Sequence, residues 1–161
     1  MKHHLFLENS TYETAILIKS SSFNKAEIRE IYVNHICNDT SVIAFTLKYE
    51  NNKVSVSLAK EYLENLLPAL VSLGTKYLFV ADAAYFKVLT KVGKTDPYIG
   101  YVLPCKIKGY EHLNCVLGIN YQQLIFNPAL KDKITLSLNA LVSHIKGTYQ
   151  PIGDSVIHSS I

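Results

Sequence analysis

A chain of 161 residues with 48% hydrophobic content is long enough to bury one full core and too apolar for a disordered tail. Its net charge of +3 permits contact with nucleic acid without demanding it, and an ordinary solvated surface accounts for it as well. Cys37, Cys105 and Cys115, an odd number with no C-x-x-C, exclude a disulfide framework and a four-cysteine metal or iron–sulfur site and read as reduced thiols of an intracellular protein. The histidines show no H-x-x-x-H or H-E-x-x-H spacing, so neither a metal nor a cofactor is expected. No apolar run reaches the roughly 18 residues of a membrane span, so no membrane partner is expected.

The first element is a strand over residues 12–19, whose continuous run Ala15-Ile16-Leu17-Ile18 suits a position buried on both faces. A serine turn, Ser20-Ser21-Ser22, follows. Asn24 and Glu27 form a capping pattern, and Ile28, Ile31, Tyr32 and His35 recur at helical spacing. Residues 42–47 form a second strand, rich in β-branched and aromatic side chains. The next helix, with Ser57 as a candidate cap, carries Leu58, Tyr62, Leu63, Leu66, Leu67, Leu70 and Leu73 on one face and stops at Gly74. Residues 77–80 make a third strand, and Asp82 opens a short helix to about Thr90. The β-α-β-α-β-α order predicts a mainly parallel sheet with helices on both faces, a three-layer α/β/α sandwich.

After a polar loop, residues 101–104 suit a short edge strand that tolerates Pro104. Val116, Leu117 and Ile119 form the last strand, and residues 120–123 turn its corner. Asn127 as cap and Pro128 at the first helical position open a final helix lined by Leu130, Ile134, Leu138, Leu141 and Ile145. Gly147 ends it, so the domain spans residues 1–147, and 148–161 read as a connector to a following region.

Ligands of open α/β sheets sit beyond the carboxyl ends of the strands, which singles out Asn120, Tyr121, Gln122 and Gln123. These are amides and a phenol, with no nucleophile or general base among them. Ser20-Ser21-Ser22 could meet a phosphate through its backbone, but a plain serine turn is the ordinary reading. Asp82 is either a base at a strand end or the cap of its helix. Lys94, Lys106, Lys108, Tyr121 and Gln122 are the candidate contacts to single-stranded or template DNA, lysines for phosphate and tyrosine for stacking. Their alternative is a solvated lysine surface with half-buried tyrosines. Because their loops all follow strands, the lysines are expected on one side of the fold.

The segment 76–81 and the run Asn120-Tyr121-Gln122-Gln123-Leu124-Ile125-Phe126-Asn127-Pro128-Ala129-Leu130-Lys131 resemble the uracil-DNA glycosylase superfamily, whose final strand carries a motif of the type H-P-[SA]-x-x-x-x-N-P followed by A-L-K. The resemblance covers about residues 15–145 and implies a glycosylase-like fold. Asn120 stands where that family has the His that stabilises the departing uracil, and Tyr121 where it has Pro. Ser20 and Ser21 stand in the loop that handles water, and Ala44 near the uracil-reading Asn. With these chemical positions replaced, the resemblance implies a degenerate, non-catalytic site, and Tyr121 or a neighbour is expected to fill the pocket beside Asn120.

Residues 97–112 and the Asn120-Tyr121 strand end look more closely like the N-terminal region of phage family A DNA polymerases. That resemblance implies an accessory domain of a DNA-replication enzyme in the host cytoplasm. It would contact single-stranded or template DNA, or another replication protein. Two alternatives stand beside it: a free-standing phage protein that binds a nucleotide or host factor, and an enzyme of altered base chemistry using Asp82 or His112.

Overall fold

The computed structural model describes residues 12–19, 24–36, 40–51 and 53–147. Its five-stranded sheet consists of β1 (Thr14–Lys19), β2 (Val42–Leu47), β3 (Tyr77–Val80), β4 (Val102–Pro104) and β5 (Asn114–Leu117), in the order β2-β1-β3-β5-β4. The first four strands in that order run parallel; β4 alone is antiparallel, on the edge beside β5. The expected α/β class with a mainly parallel sheet is therefore what forms. The edge position of β4 accommodates Pro104, which has no N–H to give a further strand.

Alternation along the central strands sends side chains into two separate cores. Ala15, Leu17, Phe45, Leu78, Val80 and Cys115 face one way, onto helices α3 (Val56–Ser72) and α4 (Ala83–Thr90). Ile16, Ile18, Ala44, Phe79 and Val116 face the other, onto the segment 25–36 and helix α5 (Leu130–Ile145). Burial on both faces explains the unbroken apolar runs of β1 and β2.

The ends of the helices show where local chemistry decides. Asn24 accepts the Glu27 N–H at 3.0 Å and opens α1 (Lys25–Ile28). The chain then takes a π-turn (Arg29–Val33) into α2 (Asn34–Ile36). The buried set becomes Ile28, Tyr32, Val33 and Ile36, while exposed His35 reaches Asn139 on α5 at 2.8 Å. Ser55, not Ser57, caps α3 by accepting the Leu58 N–H, so the helix begins at Val56, two residues earlier than a Ser57 cap implies. At its far end Gly74 takes φ 75°, with Gly74 N–H on Val71 C=O and Thr75 N–H on Leu70 C=O, the paired bonds of a Schellman stop. The last helix starts at Leu130, later than the expected Pro128. Asn127 instead turns the chain ahead of it, accepting the Ala129 N–H at 3.2 Å.

Cys105, just after β4, and Cys115 on β5 are both buried, and their side chains are hydrogen-bonded to each other. Cys37 lies outside the described residues, as do the serine turn with Ser20 and Ser21 and the connector 148–161.

Candidate functional site

The strand order reverses between β1 and β3: β1 connects to β2 on one side, and the chain then crosses to β3 on the other. Such a switch leaves a crevice outside the carboxyl ends of the strands. A cleft of about 440 Å³ lies there, lined by residues at or beyond the ends of four strands: Lys19 at the end of β1, Tyr49 after β2, Ala81 and Asp82 after β3, and Asn120, Gln122, Gln123 and Phe126 after β5. A smaller hollow of about 150 Å³ shares Ala81, Asp82, Asn120 and Gln123 with it and extends the cleft toward Thr95 and Lys133. The main lobe falls within the ~300–1,000 Å³ common for ligand sites.

Asp82 is at the centre of one wall and is fully engaged. Its Oδ1 accepts the Tyr85 N–H at 3.0 Å, the cap of α4, and its Oδ2 accepts the Tyr49 hydroxyl. Burial and the neighbouring carboxylate push the Tyr49 phenol well above its ordinary range, so it stays protonated and keeps donating. The Lys19 ammonium lies 4.6 Å from the centre of the Tyr49 ring, a cation–π contact that keeps a positive charge at the edge of the cleft. Of the two roles open to Asp82, the cap is the one its bonds support.

The opposite wall is the turn after β5, a short 3-10 helix (Tyr121–Ile125). Asn120 caps it, its Oδ1 accepting the Gln122 N–H at 2.9 Å. Tyr32 pins the turn from beneath. Its hydroxyl donates to Ile119 C=O at 2.5 Å and accepts the Tyr121 N–H at 2.8 Å. Burial raises the Tyr32 phenol far out of the titrating range, so both bonds persist across ordinary pH. The turn thus presents Gln122, Gln123 and Phe126 outward; Ile125 is 78% and Phe126 88% exposed.

The residues singled out by sequence separate into three groups. Asn120 and Gln122 line the cleft as expected. Tyr121 does not fill it: the side chain is buried in the core beneath the sheet, its ring centre 6.3 Å from that of Tyr32, and the cleft beside Asn120 is open. The tyrosine that does reach the cleft is Tyr49. Ala44 sits mid-strand in β2, opposite Ile16, fully buried; the cleft residue that follows this strand, Tyr49, comes five residues later. Lys94 is exposed next to Thr95 of the smaller hollow.

Lys106 and Lys108 do not share the side of Asn120. Because β4 is antiparallel, Pro104 lies opposite Asn114, at the starting end of β5, and Tyr77 and Thr14 begin the neighbouring strands there. The loop after β4 therefore leaves at the amino end of the sheet, and His112 precedes β5 in the same place. The expectation of one lysine-bearing side failed because it took every strand to run the same way. His112 and Asp82 stand at opposite ends of the sheet and form no common site.

Among the described residues, no group of three or more His, Cys, Asp or Glu side chains is placed to hold a metal ion, and no helix is long and apolar enough to cross a membrane. No family model, curated protein or solved structure matches the chain.

Proposed function

We propose that this chain is a non-catalytic accessory domain of a phage DNA polymerase with a degenerate uracil-DNA glycosylase-like fold, and that its carboxyl-end cleft contacts single-stranded DNA. One observation carries the reading: the turn that resembles the glycosylase motif lines an open cleft at the switch point, yet it offers amides and an exposed ring. Asn120 spends its carbonyl oxygen on the Gln122 N–H, and Asp82 spends both oxygens on Tyr85 and Tyr49. A carboxylate so engaged is poorly placed as a general base. Phe126 at the mouth offers a face on which an unpaired base can stack, Gln122 and Gln123 offer planar amides, and Lys19 supplies a charge for phosphate.

The expected result is salt-sensitive, sequence-indifferent binding of a labelled oligothymidylate, read by fluorescence anisotropy at low salt. Phe126→Ala should weaken it roughly 5- to 150-fold, the equivalent of ~1–3 kcal/mol per stacked base. Absence of binding at low salt overturns the DNA contact. Alkali-labile sites in a uracil-containing oligonucleotide, lost in Asn120→Ala, would overturn the non-catalytic assignment.

A further inference from the structure

A second hollow, of about 360 Å³, lies between α3 and α4 and shares no lining residue with the cleft. Its floor is mostly aliphatic: Leu63 and Leu67 from α3, Val88 from α4, and Ile107 from the loop after β4, with the half-buried Tyr110 of the same loop beside them. Its mouth carries Lys60 on α3, Lys91 at the end of α4, and Lys108 in that loop, against one carboxylate, Glu64. All three lysines are exposed, and no ion pair among the described residues engages them.

Lys91 is the most informative. It caps α4 in the left-handed conformation, φ 58°, with its N–H on Lys87 C=O. Glycine is the ordinary residue for that backbone, because a Cβ strains it. The neighbouring carbonyl, Leu89 C=O, is satisfied by the Lys106 N–H at 2.8 Å, which ties the loop carrying Lys108 to the same helix end. The local structure thus keeps a side chain at a place where the backbone prefers none.

We propose that this hollow docks an acidic peptide segment, one bulky aliphatic side chain seated on the Leu63, Leu67, Val88 and Ile107 floor and flanking carboxylates meeting Lys60, Lys91 and Lys108. The charge balance selects an anionic occupant. The lysines come from three elements around the mouth, so they match charges spread along an extended chain better than one compact anion. Four aliphatic side chains make most of the floor, against one half-buried ring, Tyr110, so the hollow suits an aliphatic peptide side chain better than a run of stacked bases. This site is independent of the DNA cleft and gives Lys108 a role at its own end of the sheet.

The test uses a fluorescein-labelled acidic hexapeptide with a central leucine, a serine-for-leucine control, and oligothymidylate as competitor. The leucine peptide should bind in the micromolar range and more tightly than the control. Lys91→Gly should weaken it about two- to fivefold while leaving the melting temperature equal or higher, since the strained backbone is relieved. The doubly reversed Lys91→Glu, Lys108→Glu variant should lose more than about tenfold, and Phe126→Ala should change nothing. Equal binding of the serine control, or unchanged affinity in Lys91→Gly, overturns the proposal. So does failure of the leucine peptide to bind, and oligothymidylate binding that then depends on Lys91 and Lys108 assigns these lysines to nucleic acid.

Discussion

Tyr32→Phe is expected to destabilise the protein by about 2–3 kcal/mol, far more than loss of one exposed hydroxyl. The Tyr32 oxygen serves two buried backbone groups at once, Ile119 C=O and Tyr121 N–H. Removing it withdraws a partner from both, and each buried group so deprived costs ~1–3 kcal/mol. Urea unfolding should show a lower midpoint with an unchanged slope. Amide exchange should report the local consequence, with protection at Tyr121 lost first. Tyr62→Phe is the control: it loses one bond to Thr46 C=O from a half-buried position and should cost about 1 kcal/mol. Equal effects in the two variants would contradict the pinning role of Tyr32.

Gly118→Ala is the second substitution with a large expected effect. A Cβ at Gly118 would stand 2.5 Å from Cε2 and 2.7 Å from Cζ of Phe79. Phe79 is fully buried, and its ring centre is 5.2 Å from that of Tyr32. The ring has no open space to yield into, so the chain must shift where β5 enters the cleft. Overpacking of this kind costs ~1–3 kcal/mol. The strain is steric, so shortening the ring should relieve it. Gly118→Ala combined with Phe79→Leu should be less destabilised than the sum of the two single changes, because the sites touch. Simple additivity would show that the glycine is needed for some other reason.

These two contacts mark the boundary of what was legible in the sequence. The apolar runs of β1 and β2, the Asn24 and Asp82 caps and the Gly74 stop are local signals, and each formed as the residues imply. The boundaries that moved did so by a residue or two, where Ser55 outcompeted Ser57 and where Asn127 made a turn before the helix. Strand order and direction are non-local. Nothing in residues 101–108 states that β4 runs against its neighbours, and that single reversal carried Lys106 and Lys108 to the far end of the sheet.

The cleft was half legible for the same reason. The strand-end rule found Asn120 and Gln122, since they follow an apolar strand. It could not find Tyr49, whose hydroxyl meets Asp82 across 33 residues of sequence. It also placed Tyr121 in the cleft, when burial against Tyr32 turns it inward. The signal for that was present but ambiguous, because a tyrosine after an apolar strand serves equally as core or as contact. The exposed pair Ile125-Phe126 follows from neither period nor propensity.

The central claim is that the carboxyl-end cleft is where single-stranded DNA meets this domain. Titration of isotope-labelled protein with oligothymidylate, followed by amide chemical shifts, tests it residue by residue. The expected result is a shift set confined to Lys19, Tyr49, Asp82 and the 120–126 turn, reached only at roughly 5- to 150-fold higher oligothymidylate in a folded Phe126→Ala protein. Shifts centred on Lys91 and Lys108 instead, or none at low salt, would contradict it.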